Sequence, residues 1–366
     1  MLKKNDINEK SKRTDKDTQT GPKYSKFILI SAALVVAIVA IVLITAFSQN
    51  SKSYVAKVGK EKISVMEFNS YLSQVKSAML SEAQINPDTP EAENFWKTAN
   101  FNGLSATEEA KRQALDALRE MKIQVIKAKE KNLKLTSEEK DLIESQIDQL
   151  IKQSGSKAEA NESLMKAMGL DIDGFRQAYT EQYLAYKLYM DETAAMNISD
   201  DEAKSVYDSD TKSFDKVTVR HILISKRDIN NNWLSEEEIA EAENKAKEIL
   251  EKINAGEDME KLAKEHSADP PVEENGGVYT FTKFDSYVDE FKDWAIKANV
   301  GDTGIVETSY GYHVMRLEDR ESIPFEDVKE NIKSSLMQEK FIELLEEWKK
   351  DPAYAVQTND KVYNSL

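Results

Sequence analysis

The chain has 366 residues, a net charge of −16, 40% hydrophobic residues and no cysteine. The missing cysteines exclude disulfides, thiol catalysis and a lipidated cysteine anchor. The acidic balance argues against nucleic acid and against adsorption to anionic lipid, since both attract basic surfaces. A chain of this length can form two or three domains, each with its own core.

An uncharged stretch near the N-terminus predicts a membrane anchor. Residues 27–47, FILISAALVVAIVAIVLITAF, carry no charge, and about 20 apolar residues in a helix span the hydrocarbon core. Residues 1–26 carry eight Lys or Arg against four Asp or Glu, and such basic flanks stay in the cytoplasm. We therefore expect a cytoplasmic tail at 1–26, a transmembrane helix at 27–47 and an extracytoplasmic bulk. A signal peptide cleaved near Ser48 is the alternative.

The segment after the anchor has mainly helical patterns. A short strand with a glycine turn at 55–63 leads into a first helix. Apolar residues then recur at helical spacing from Thr107 and again from about Ile172. Apart from that strand, we predict that residues 50–195 form an all-helical region, and we find no catalytic constellation in it.

The pattern changes at Phe214 to strands that alternate with short helices. A strand at 217–225 and two short strands near 304–307 and 312–317 enclose helical stretches, which is typical of a compact α+β unit. Helical spacing returns at 325–350. The α+β unit is therefore predicted to lie between helical segments.

All three histidines of the chain fall in this unit. His221 shares a strand face with Val219, and a buried imidazole needs hydrogen-bond partners. His313 lies on a similar face of the last strand, so antiparallel pairing of the two strands would let the imidazoles bond each other. His266 lies on the short helix that leads to Asp269 and is interpreted as structural. By itself, a strand histidine is more often a core residue than a catalyst.

Four blocks of the unit resemble the parvulin family of peptidyl-prolyl isomerases in order and spacing. They are RHILI, DMEKLAKEHSADPPVEENGG, YVDEFKDWA and ETSYGYHVMRL, within about 215–318. The surrounding helices and anchor resemble the PrsA/SurA-type extracytoplasmic foldases, in which both chain ends build a helical chaperone domain. The resemblance implies an α+β fold, with a parvulin-like antiparallel sheet and flanking helices at 213–319. This unit would be inserted between chaperone segments at 50–200 and 323–366, behind a single transmembrane helix.

The resemblance also implies the site residues. His221 and His313 match the family's paired histidines, Asp269 stands where the family has Cys or Asp, and Tyr310 stands where some members have Ser. Asp269 is expected to be largely exposed to the substrate groove. The apolar pocket for the proline ring is implied for Val278, Phe281, Tyr287 and Phe291. The resemblance implies no cofactor and no metal, although two histidines and one aspartate have the composition of a metal triad.

Such a site suits X-Pro isomerisation. The peptide C–N bond resists rotation because resonance gives it double-bond character, with a barrier of about 18–20 kcal/mol. An apolar pocket that holds the ring beside a poorly hydrated carbonyl favours the less polar, twisted state. The expected activity is that of a peptidyl-prolyl cis-trans isomerase on unfolded or partly folded exported proteins.

Two departures from the family pattern motivate an alternative. The common GGDLG is here Gly276-Gly277-Val278-Tyr279-Thr280, and the usual pocket Met is Tyr287. The alternative is a non-catalytic holdase whose parvulin unit only binds client segments, and a weaker one is a membrane-tethered scaffold. Recognition of phosphate is not expected, because the loop after the first strand lacks a basic cluster. A homodimer through the helical region is left open.

Overall fold

The computed structural model describes residues 54–366. In that part of the chain no helix has both the length and the apolar composition needed to cross a membrane. The predicted tail at 1–26 and the predicted anchor at 27–47 lie outside the described residues. The fold is a mixture of helix and sheet, as the sequence predicts.

Helices dominate the first part of the described chain. Those before residue 210 are α1 (Val65–Glu82), α2 (Pro90–Thr98), α3 (Ala106–Glu130), α4 (Ser137–Ser154), α5 (Lys157–Met168), α6 (Ile172–Ala195) and α7 (Asp200–Ser209). The strands among them are β1 (Tyr54–Val58), β2 (Glu61–Ser64), β3 (Asn100–Phe101) and β4 (Leu104–Ser105). The expectation of an all-helical region is therefore wrong in part, because β3 and β4 form a small antiparallel pair.

Local capping chemistry sets the helix starts. Ser64 and Glu67 form a reciprocal capping box at α1, and Thr136 and Glu139 form another at α4. In each box the hydroxyl accepts from the third helical N–H while the carboxylate accepts from the cap N–H, which satisfies two otherwise unpaired donors.

The C-terminal segment completes the helical region. Helix α12 (Phe325–Lys350) is followed by β9 (Val356–Thr358) and α13 (Asp360–Tyr363). Strand β9 pairs antiparallel with β1, so the small sheet has the order β2-β1-β9 and joins both ends of the described chain. The sequence did not indicate β9, since three residues are too short to show an alternating pattern.

Helix α12 packs on α3 and α6. Phe341 and Leu345 share one buried cluster with Val125 of α3 and Leu188 of α6. The Arg119 guanidinium donates from Nε to the carbonyl of Tyr354 at 3.0 Å and also binds the carbonyl at the end of α12. The C-terminal half of α12 is therefore part of the same core as α3.

A buried ion cluster joins three of these helices. Lys122 of α3 is fully buried, and its Nζ lies 2.7 Å from Glu67 Oε1 of α1 and 2.7 Å from Glu181 Oε1 of α6. Two carboxylates around one ammonium leave a net negative charge out of water, which favours protonation of one of them. Burial accordingly raises the pKa of Glu67 to about 7, against the opposing effect of Lys122.

The α+β part is built on a second sheet. Its strands are β5 (Lys216–Ser225), β6 (Val278–Phe281), β7 (Thr303–Glu307) and β8 (Gly311–Glu321), in the order β6-β5-β8-β7 with every pairing antiparallel. Its helices are α8 (Glu236–Asn254), α9 (Met259–His266), α10 (Val272–Asn275) and α11 (Asp289–Lys297). The two central strands, β5 and β8, carry His221 and His313.

Both faces of this sheet are covered. Alternation along β5 places Val217 and Val219 in a cluster with Phe281 and Phe291 on one face, while Ile222 on the other face packs with α8 and α9. The histidines lie on the face that α11 covers. A substrate groove that reaches the histidines must therefore form on that face of the sheet.

Candidate active site

The two strand histidines face each other in the centre of the sheet. The Nδ1 atoms of His221 and His313 lie 3.1 Å apart, and the rings stack at 28° with centroids 5.2 Å apart. Both side chains are buried. The pairing that the sequence predicts for these imidazoles is therefore present.

The outer nitrogen of each imidazole has its own partner. Nε2 of His313 lies 2.9 Å from Thr308 Oγ1, and Nε2 of His221 lies 3.4 Å from Asp269 Oδ2. The Tyr279 hydroxyl donates to the same Asp269 oxygen at 2.7 Å. Five side chains thus form one continuous polar chain beneath the apolar face.

One arrangement of protons satisfies this chain with both imidazoles neutral. A carboxylate can only accept, so His221 places its proton on Nε2 and its Nδ1 accepts from Nδ1–H of His313. Nε2 of His313 then accepts the hydroxyl proton of Thr308. These tautomers are assigned from the hydrogen-bond pattern. The pair is therefore a directional relay that ends on Asp269.

The electrostatics of the site favour an uncharged His313. Burial, reinforced by the neighbouring His221, lowers the pKa of His313 from 6.5 to about 3. Burial would raise the pKa of Asp269, but the contacts from His221 and Tyr279 outweigh it and lower that pKa below its usual range. At neutral pH His313 is therefore uncharged and Asp269 is a carboxylate.

Asp269 differs from its sequence-based expectation. We expected a loop side chain largely exposed to the groove, whereas its side chain is only 14% exposed. Tyr279 covers it from the edge strand, and Ser267 Oγ accepts from the backbone N–H of Asp269 at 3.2 Å. The expectation failed because the Tyr279 contact crosses from a different element.

Aromatic rings line the groove above the histidines. The Phe291 ring lies 5.2 Å from His221 and 5.3 Å from His313, edge-on to both. Phe281 and Tyr287 pack on it, at 5.6 and 5.9 Å. The structure thus brings three of the four expected pocket residues together on the histidine face.

The remaining two expected residues are placed less directly. Val278 begins β6, is half-buried and pairs with Arg220. Tyr310 is 58% exposed, and its backbone N–H, not its hydroxyl, donates to Thr308 Oγ1 at 3.1 Å. Tyr310 therefore reaches His313 only through Thr308.

Sequence reasoning missed Thr308 and Tyr279. A signal existed for Thr308, since it stands five residues before His313 at the turn into β8 and a Thr hydroxyl there can bond nearby groups. No local signal points from Tyr279 to Asp269, because their contact depends on the strand register of β6 against β5.

The backbone at position 277, just after α10, requires a glycine. The φ of Gly277 is +78°, and a Cβ there would lie 2.4 Å from the His221 carbonyl oxygen. The His221 N–H donates to the Gly277 carbonyl at 2.9 Å. A side chain would push β6 away from the strand that carries His221.

Within residues 54–366 no group of three or more His, Asp or Glu side chains is arranged to hold a metal ion. The facing nitrogens of the histidines are hydrogen-bonded to each other.

Comparison with known families agrees with this geometry. Residues 204–321 match the PPIC-type PPIase domain, and residues 21–189 match the SurA-like N-terminal domain. Foldase protein PrsA of Caldanaerobacter subterraneus subsp. tengcongensis is 28% identical over 298 residues, 81% of this chain and 83% of that protein. Foldase protein PrsA of Clostridium tetani is 27% identical, over 82% of this chain and 85% of that protein.

Among solved structures, foldase protein PrsA from Streptococcus pneumoniae is 20% identical, covers 86% of this chain and 98% of its own, and has a TM-score of 0.40. A TM-score this low carries no weight in assigning the chain to a family. The two family matches and the PrsA relatives carry it. Residues 204–321 therefore form a parvulin-type peptidyl-prolyl cis-trans isomerase domain of the PPIC type, which the chain combines with a segment that matches the SurA-like N-terminal domain, and the chain is similar to the PrsA foldases.

Proposed function

We propose that this isomerase is anchored in the membrane and helps exported proteins fold outside it, acting on X-Pro bonds of unfolded or partly folded chains. The proposed catalytic residues are His221, Asp269, His313 and Tyr310, and those proposed to hold the proline ring are Val278, Phe281, Tyr287 and Phe291. The observation that carries the proposal is the buried histidine pair, whose Nδ1 atoms lie 3.1 Å apart beneath an aromatic face.

The proposed mechanism is stabilisation of the twisted amide. Twisting breaks resonance, so the bond becomes less polar and an apolar surface binds it better than it binds the planar form. A thousandfold acceleration needs only about 4 kcal/mol of such preference. Phe291 and Phe281 supply the apolar surface, while the buried relay keeps the strands beneath them rigid and places the Asp269 charge at the edge of the groove.

The test compares conservative variants in an isomerisation assay on proline peptides. Asp269→Asn keeps an acceptor for Tyr279 but removes the charge, and Phe291→Leu changes the pocket wall without emptying it. We expect both to lower kcat/KM while the sheet stays folded, as judged by circular dichroism. Phe341→Leu, a matched change in the helical core, should leave kcat/KM unchanged. Full activity in both site variants would remove the groove from consideration as the active site.

A holdase function is favoured by one observation. The Tyr287 ring lies 4.7 Å from Phe281 and 5.9 Å from Phe291, so it narrows the space for a proline ring. If the intact chain suppresses aggregation of an unfolded client but does not accelerate isomerisation, this second function replaces the first. We expect both activities, with only the isomerase activity lost in Asp269→Asn.

The anchor and its orientation are part of the proposal. Their support is the uncharged run at 27–47 and the basic excess at 1–26. Protease added to intact cells should digest the chain from residue 50 onward and leave the first 26 residues protected. A protected C-terminus would contradict the extracytoplasmic placement, whereas a mature N-terminus near Ser48 would indicate a cleaved signal.

The domain organisation is proposed with it. Residues 213–319 form the isomerase unit, and 50–200 together with 323–366 form one helical chaperone domain. The pairing of β1 with β9 and the packing of α12 on α3 support the second part. A homodimer through the helical domain stays a prediction, which sedimentation at several protein concentrations tests.

A further inference from the structure

Tyr279 stands within one of the departures from the family pattern, and its contacts point to a specific role. We propose that Tyr279 is a positioning residue of the isomerase site: it holds the Asp269 carboxylate against His221 and thereby keeps the histidine pair in one tautomeric state. This inference rests on the proposed role of Asp269 in the active site.

The two contacts of Asp269 converge on a single oxygen. Oδ2 accepts from the Tyr279 hydroxyl at 2.7 Å and lies 3.4 Å from His221 Nε2. A rotation of the carboxylate that released one partner would therefore also move the oxygen away from the other. The Asp269 backbone is held separately, through Ser267. Tyr279 thus controls the side chain, while the loop controls the main chain.

Tyr279 is itself well fixed. It lies in β6 opposite Val219 of β5, and its ring packs edge-on against His221 at 5.1 Å and against Tyr287 at 5.9 Å. Strand register and ring packing therefore fix the position of the Tyr279 hydroxyl. A side chain held in this way loses little further freedom when it binds the carboxylate.

The Tyr279 hydroxyl helps to determine which nitrogen of each imidazole carries a proton. The ionised Asp269 carboxylate, held by Tyr279, acts only as an acceptor, so His221 must carry a proton on Nε2. Loss of the hydroxyl removes the shortest hydrogen bond of a mostly buried carboxylate, which makes its protonation easier. A protonated Asp269 could donate to His221 and reverse the proton positions on both imidazoles.

Tyr279→Phe tests this, because it removes one oxygen and keeps the ring. A lost hydrogen bond to a charged group lowers kcat/KM by about tenfold, if the bond is formed in the transition state. Tyr312→Phe is the matched control, since Tyr312 is buried on the opposite face of the sheet; its kcat/KM should equal that of the parent chain.

A double-mutant cycle separates positioning from a general structural effect. If Tyr279 acts through Asp269, adding Tyr279→Phe to Asp269→Asn should change kcat/KM less than twofold, although each single change lowers it. In the ¹⁵N-labelled chain, Tyr279→Phe should also shift the ring nitrogen signals of His221. Multiplicative losses, or unchanged activity and unchanged nitrogen signals, would overturn the proposal. Full activity in Asp269→Asn itself is a different result, because it rejects the proposed catalytic role of Asp269 on which this inference rests.

Discussion

Acid should destabilise the isomerase sheet through His313. The imidazole is buried between His221 and Thr308, and its pKa falls from 6.5 to about 3 on folding. The folded state therefore binds a proton less tightly than the unfolded state does. The stability that this neutral imidazole contributes is complete above pH 6.5 and is lost progressively as the pH falls towards 3.

The magnitude follows from the size of the shift. One pKa unit corresponds to about 1.4 kcal/mol, so the loss reaches about 5 kcal/mol across the whole interval. Between pH 6.5 and 4.5, where the chain is easier to handle, the expected loss is about 2–3 kcal/mol. Such a loss is a large fraction of the stability of an ordinary domain, about 5–15 kcal/mol.

The assay compares the parent chain with His313→Asn, which cannot take up a proton. Urea unfolding is followed at β5 and β8 peptides by pulsed hydrogen exchange, so that only this sheet is measured. His313→Asn should be less stable at pH 7, but the difference between the two proteins should shrink by about 1.4 kcal/mol per pH unit below 6.5. Since other titrating groups are common to both, a difference that stays constant from pH 7 to 4.5 would refute the reasoning.

Other predictions concern the helical region. A chain that ends at Arg320 loses α12 and β9, so its helical region should unfold at a lower urea concentration. Each large apolar side chain of α12 contributes about 1.5–3 kcal/mol to the free energy of unfolding by its burial. An unchanged urea midpoint would contradict the shared core. Lys122→Met should cost about 3–5 kcal/mol by leaving two buried carboxylates unpaired, and less when Glu67→Gln and Glu181→Gln accompany it; equal costs would contradict the ion cluster. Glu67→Gln should flatten the loss of stability that occurs as the pH rises from 4.5 to 7, because the folded state raises that pKa to about 7; an unaltered slope would argue against the shift.

Much of the fold could be predicted because its signals are local. Helix α12 spans Phe325–Lys350, the same residues that the apolar spacing indicates. The reciprocal cap of Ser235 and Glu238 opens α8 as its sequence pattern predicts. The pairing of β5 with β8 was also within reach, since alternation put His221 and His313 on inward faces of their strands.

Other elements were missed for identifiable reasons. Helix α5 (Lys157–Met168) opens at Ser156, whose hydroxyl accepts from the Glu159 N–H, so a capping pattern was present, but only Ala160 and Leu164 of this helix are buried. Within the site, the burial of Asp269 could not be read from the HSAD segment. It depends on the Tyr279 hydroxyl, which the register of β6 brings into contact from ten residues away.

The order of elements along the chain has a consequence for how this foldase itself folds. The pairings of β5 to β8 close within residues 216–321, whereas the helical region needs β1 to meet β9 and α3 to meet α12. Long-range contacts form more slowly because their loops must close first. In a chain that emerges N-terminus first, the isomerase sheet therefore forms before α12 packs on the helical region. Until α12 packs there, the apolar surface around Val125 and Leu188 stays uncovered.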